Sequence, residues 1–227
     1  MKPNKRSILA YVLGVVILAL GTAFMEKADF GMSMVVAPAY LIHLKLSQIW
    51  PFFSFGVAEY TLQAVLLLAM MLVLRQVRLR YLFSFVTAFF YGNVLDLWLL
   101  LFGGLTADGL PVRVICYLCG LVLCSLGVAY LFETTIAPEV YELFVKELAV
   151  KHGFSLTRCK TVYDCVSCAA GVILSFAFFG FGHFEGVKLG TVFCALINGW
   201  LIGKCGKLVQ FTLRSFPAQQ GRVEHAA

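Results

Sequence analysis

Residues 8–26 read ILAYVLGVVILALGTAFME, and residues 111–133 read PVRVICYLCGLVLCSLGVAYLFE. Each is long and apolar enough to cross a bilayer core of about 30 Å as one helix, which takes roughly 20 residues. The two stretches also resemble each other. Tyr11-Val12-Leu13-Gly14, then Leu20-Gly21-Thr22-Ala23, matches Tyr117-Leu118-Cys119-Gly120, then Leu126-Gly127-Val128-Ala129, at a constant offset of 106. Gly14 and Gly21 lie seven apart, as do Gly120 and Gly127. Each pair therefore shares one helix face, where small residues let a neighbouring helix approach closely.

Four more runs of similar length surround these two, at about 57–74, 81–103, 160–181 and 186–209. No run shows the alternation of a β-barrel strand, so helices are left to satisfy the backbone in lipid. The expected fold is all-α and membrane-integral, with six transmembrane helices in one membrane domain. One repeat covers about 8–103 and the other about 111–209, followed by a cytoplasmic tail over 210–227. Three crossings per repeat is an odd number, so the second repeat enters from the opposite side. This is the inverted-topology arrangement from which many secondary transporters are built.

Two segments are too short or too polar to be ordinary spans. One is 30–44, with Gly31, Ser33 and Pro38; the other is 138–150, with Glu139, Glu142, Lys146 and Glu147. Val140, Leu143, Phe144 and Leu148 fall at helical spacing, and Glu142 and Lys146 form an i,i+4 pair. Both segments read as short re-entrant or interfacial helices, the alternative being connecting loops.

The composition agrees. Apolar residues make up 61% of the 227 residues and charged residues only 13%, with a mean hydropathy of +0.89. Soluble domains average about 45–50% apolar and about 25% charged. The bases behind the +6 formal charge stand at the ends of apolar runs and accompany no nucleic-acid motif. With the N-terminus inside, fourteen bases fall on the cytoplasmic side: Lys2, Lys5, Arg6, Arg75, Arg78, Arg80, Lys146, Lys151, Arg158, Lys160, Lys204, Lys207, Arg214 and Arg222. Only Lys27, Lys45, Arg113 and Lys188 fall outside. The positive-inside rule then puts both termini in the cytoplasm. The first run continues as a full span with no small-residue cleavage site, so no signal peptide is expected.

Short motifs resemble the YitT/YczE group of bacterial membrane proteins: Leu20-Gly21-Thr22-Ala23, then Gly31-Met32-Ser33 and Pro38-Ala39-Tyr40, with Gly190-Thr191-Val192 running into Ala195-Leu196-Ile197-Asn198-Gly199. The resemblance spans most of 8–209. It implies a multi-pass protein of the bacterial cytoplasmic (inner) membrane and carries over no catalytic residue. The stretch after Gly31 lacks the Trp-Asp-like pair found in some members.

Asn93 and Asn198 sit about twelve residues into their spans, near the bilayer midplane at about 1.5 Å per residue. Asp96 lies one turn beyond Asn93. The expected substrate site brings Asn93 and Asn198 together across the pseudo-two-fold axis, with Asp96 at the outer end of the cavity. The alternative for each asparagine is an interhelical hydrogen bond that fastens two helices. Glu59, Gln63, Asp164 and Ser167 lie near the starts of their spans, close to Tyr60 and Tyr163, and read as interfacial, as do Glu26 and Glu133.

Cys116-x-x-Cys119 and Cys165-x-x-Cys168 have zinc-like spacing. Their depths differ by roughly 6–15 Å, too much for one ion, so no metal and no cofactor is expected. His43, His152, His183 and His225 fall in loops or the tail. No HExxH, Ser-His-Asp order or phosphate-binding loop is present, so the chain does not read as an enzyme. Two functions remain: a secondary transporter or permease for a small solute, or a non-transporting scaffold or accessory protein. The expected partners are the lipid bilayer and, in the first case, that solute.

Overall fold

The computed structural model describes residues 5–77, 79–104, 108–182 and 184–214. Among them are eight helices and no strand: α1 (Lys5–Ala28), α2 (Ala37–Leu46), α3 (Phe55–Leu74), α4 (Leu79–Leu101), α5 (Leu110–Glu133), α6 (Val140–His152), α7 (Leu156–Phe179) and α8 (Leu189–Arg214). Six of these are long and apolar enough to cross a membrane, and they coincide with the six expected runs to within a few residues. The protein is a multi-pass helical membrane protein. Large apolar side chains such as Leu68, Leu72, Leu100, Val166, Ile173 and Leu196 stand exposed on the bundle surface, as lipid contact requires.

The largest departure is α8. It begins at Leu189, three residues after Gly186, which takes a left-handed backbone. It then runs on to Arg214, so the first five residues of the expected tail are helical. The rest of the tail, Lys2, Arg78, His183, Arg222 and His225 lie outside the described residues.

At the centre α1 and α5 pack antiparallel. Ser7 meets Thr134 near one end (2.8 Å), and Arg113 donates to the Ala28 carbonyl near the other (2.8 Å). The four expected glycines form the seam. A Cβ on Gly21 would stand 2.6 Å from the Cys124 nitrogen and 2.8 Å from the Gly120 carbonyl. One on Gly127 would stand 2.6 Å from the Leu18 nitrogen, and those on Gly14 and Gly120 would meet Leu131 and Met25 at 2.9 and 2.7 Å. The helices therefore touch backbone to backbone, which any larger side chain prevents.

The short helices α2 and α6 begin in the interior, and each is led in by a non-helical segment. The first, 29–36, is held mainly by main chain. Met32 donates to the Gly186 carbonyl (2.9 Å), Gly190 to the Phe30 carbonyl (3.0 Å), and Val36 and Ala37 to the Ser33 carbonyl. Gly31 has φ +106, and a Cβ there would collide with the Thr191 hydroxyl and stand 2.8 Å from the Lys188 nitrogen. Glycine is required at that position. The second segment, 134–139, is held largely by side chains. Thr87 donates to the Ala137 carbonyl (2.9 Å) and Ser84 to the Pro138 carbonyl (2.6 Å). The Val140 N–H, at the start of α6, is met by Gln63 Oε1 at 2.9 Å. Both arrangements satisfy the irregular backbone that buried, non-helical chain inside a bundle demands.

Candidate functional site

The start of α6 delivers carboxyl groups into the interior. Glu139 and Glu142 are almost completely buried, as are Glu59 and Gln63 of α3 and Lys160 and Asp164 of α7. Gln63 joins the first group. Its amide nitrogen donates to Glu139 Oε2 at 2.9 Å and to Glu59 Oε1 at 3.2 Å, while its oxygen holds the Val140 N–H. Lys160 joins the second group. Its ammonium lies 2.9 Å from Asp164 Oδ1, one helical turn away, and 3.6 Å from Glu142 Oε1. The same ammonium stands 5.7 Å over the Tyr163 ring.

Asn198 completes the group from α8. It is buried, accepts from Ser125 of α5 at 3.1 Å and faces Asp164. Thr22 of α1 and Tyr91 of α4 share a hydrogen bond of 2.8 Å on the other side. Between them lies a cavity of about 20 Å³, lined by Ser33, Glu139, Glu142, Lys160, Asn198 and Tyr91 among others. Glu139 Oε1 and Glu142 Oε2 have no hydrogen-bond partner there. Burial pushes the Glu139 carboxyl well above its usual value, and the neighbouring Glu142 and Glu59 push it further, against Gln63 and Lys160. Burial raises Glu142 as well, opposed chiefly by Lys160.

Residues 5–207 match a family described as a family of unknown function, DUF6198. The chain belongs to that family. Comparison with curated proteins and with solved structures finds no match.

In this member of DUF6198 the expected asparagine pair does not form. Asn93 lies on the exposed surface of α4, and its amide donates to the Phe89 carbonyl of its own helix at 2.7 Å. The cause is backbone packing one residue earlier. Gly92 presses on Gly56 of α3, where a Cβ would stand 2.8 Å from the Gly56 carbonyl. That contact turns Tyr91 inward to α1 and Asn93 outward. The two-residue offset from Tyr91 to Asn93 rotates the side chain by roughly 200° around the helix.

Asp96 does not border the central cavity either. It is half-buried and caps α3, accepting from Ser54 Oγ (2.5 Å) and from the Gly56 N–H (2.9 Å). A carboxylate there satisfies free N–H groups and faces the positive end of the helix dipole. Of the three expected site residues, only Asn198 lies at the centre.

The interfacial reading of Glu59, Gln63 and Asp164 is overturned, since all three are fully buried. Lys160, placed among the orienting loop charges by sequence, is also inside. A signal for them was present. Glu59 and Gln63, and likewise Lys160 and Asp164, are spaced i,i+4 near the start of the second span of each half, so each pair makes a polar stripe on one helix face. Among the described residues, no three His, Cys, Asp or Glu side chains are grouped to hold a metal ion.

Proposed function

We propose that this protein is a secondary transporter for a small solute, built from two inverted three-helix repeats that move against each other around the charged centre. The observation that carries the reading is the centre itself. Four buried carboxyl groups and one buried ammonium gather where a broken helix begins, beside a small cavity. Ionisable groups inside a membrane bundle are costly and mark pathways and binding sites, and broken helices supply such sites in transporters.

The packing supports the repeat. An axis that exchanges Gly14 with Gly120 and Gly21 with Gly127 turns the Gly14–Gly127 contact into the Gly21–Gly120 contact, and both are present. Most helix pairings also exchange: α1 packs on α4 as α5 does on α8, α3 on α4 as α7 on α8, and α2 on α3 and α7 as α6 on α7 and α3, with the α4–α6 contact outside the pattern. In this reading 29–46 and 134–152 are re-entrant limbs. The excess of loop bases on the side of the termini supports a cytoplasmic position for both. The resemblance to the YitT/YczE group supports a bacterial inner membrane.

A scaffold role is favoured by one feature: a cavity of about 20 Å³ holds roughly one water. Side-specific labelling separates the two readings. Cys124 borders the cavity, and a variant keeping it as the only cysteine is treated with a membrane-impermeant thiol reagent in right-side-out and inside-out vesicles. An alternating carrier exposes Cys124 to each side in turn, so both preparations are labelled. Labelling from neither side, or from one alone, contradicts the transporter reading.

A further inference from the structure

We propose that the centre binds a monovalent cation, a proton or an alkali-metal ion, between Glu139 and Glu142, and that Lys160 is the built-in cation that competes for the same carboxylates. This deepens the transporter reading by naming what the centre takes, and rests on that reading for the use made of the ion.

The first argument is charge. Glu59, Glu139, Glu142 and Asp164 share the interior with one ammonium, which contacts Glu142 and Asp164, and all five groups are at least 96% buried. If all ionised, they would leave a formal excess of three negative charges in a region that cannot hydrate them. Uncompensated buried charge is far too costly to persist, so protons or a bound cation make up the difference.

The second argument is geometry. Glu139 Oε1 and Glu142 Oε2 are without partners at the cavity wall. The volume of about 20 Å³ suits one water or one small dehydrated ion.

The third is access. Lys160 borders the central cavity and also a larger cavity of about 350 Å³ between α5, α7 and α8. That second cavity lies toward the face bearing the chain termini, with Glu133, Lys207 and Gln210 in its wall. A cation entering by this route displaces the ammonium from Glu142, and the ammonium moves into the vestibule it already borders. On the opposite face Asp29, after α1, binds Arg113 of α5 (3.0 Å) and Lys188 just before α8 (2.5 Å).

Any proton response at Glu139 and Glu142 is shared with the groups packed around them. These are Glu59 of α3, Tyr91 of α4, Cys124 of α5 and Tyr141 of α6 itself. From α7 come Lys160, Tyr163 and Asp164, and Cys194 of α8 lies behind them.

The test uses the purified full-length protein in detergent and reads its melting temperature. Sodium chloride is compared with choline chloride at equal concentration and fixed pH, and a pH series follows in choline chloride. For an alkali-metal site, saturating sodium raises the melting temperature by roughly 5 °C, and Glu142→Gln abolishes the rise. For a proton site, sodium does nothing, the melting temperature falls as pH rises, and Glu142→Gln flattens that slope. In either case Lys160→Met removes the competitor, so the same shift is reached at a cation concentration about ten-fold lower, the equivalent of about 1.4 kcal/mol.

A structural role alone would lower stability in both variants and leave their cation responses unchanged. Wild type and Glu142→Gln responding alike to sodium and to pH would overturn the proposal. Should Glu142→Gln not fold, Lys160→Met decides: a tightened response supports the proposal and an unchanged one overturns it. A cation response with Cys124 closed to both sides would sink the transporter reading and leave this site standing.

Discussion

The two broken segments occupy corresponding places, and they are held in different ways. Residues 29–36 are tied by main chain to 186–190, and the helix that follows buries Ala37, Pro38, Ala39 and Leu41. Residues 134–139 are tied by Ser84, Thr87 and Gln63, and the helix that follows buries Tyr141 and Glu142 beside Glu139. The first is fixed by shape and the second by polar side chains that are part of the charged centre. One architecture thus carries a framework limb and a chemical limb, and substitutions in the two should fail differently.

The sharpest break is expected in the framework limb. Gly31→Ala adds a Cβ at φ +106 and against Thr191 and Lys188. The expected loss is about 3 kcal/mol, from backbone strain and overpacking together, and it is independent of pH and salt. Thermal unfolding in detergent measures it, and near-wild-type stability would show that the limb adapts.

The chemical limb should give less way but respond to conditions. Gln63→Leu leaves the Val140 N–H and Glu139 Oε2 without their partner, at a cost of about 2 kcal/mol. The pH profile should shift with it, because Gln63 is one of the groups holding the Glu139 carboxyl down. A uniform loss at every pH would mean that Gln63 acts on α6 by packing alone.

Glu139→Gln sharpens the comparison further. The Glu139 carboxyl is raised on folding from its ordinary value of 4.5. The folded state therefore holds the proton more tightly than the unfolded state. The resulting stability is fully present below the unfolded value and is lost as pH rises through the folded one. Wild type should lose stability from about pH 5 upward, and the glutamine variant should lose less over the same range. Equal slopes would remove Glu139 from the buried set. The smallest effect is expected at Asn93→Ala, on the exposed surface of α4, which should fall within about 0.5 kcal/mol of wild type at all pH values.

The six spans were legible because apolar length is a local property. The α1–α5 seam was legible because glycines seven apart mark one face whatever that face meets. The centre was not, because its members are assigned by tertiary packing. Glu59 and Lys160 lie within two turns of a helix end, where sequence reads them as hydrated, yet α6 folds inward and covers them. Asn93 failed for the opposite reason. Its depth could be counted along the chain, but its facing depends on Gly92 meeting Gly56, and that contact leaves no periodic trace. Asn198, with the same depth, was turned inward by the packing of α8 on α5.

The central claim is that the charged side chains near the start of α7 lie desolvated and paired inside the bundle, not at a hydrated helix end. A double-mutant cycle on Lys160 and Asp164, 2.9 Å apart, tests it most directly through thermal unfolding of Lys160→Met, Asp164→Asn and the double variant. Removing Lys160 strands Asp164, and removing Asp164 leaves Lys160 with only the longer contact to Glu142 (3.6 Å), so each single change should cost about 3 kcal/mol, the lysine change the more. The double variant should cost less than the sum of the two by more than about 1 kcal/mol. Two small effects that simply add would contradict the claim and return both residues to a hydrated helix end.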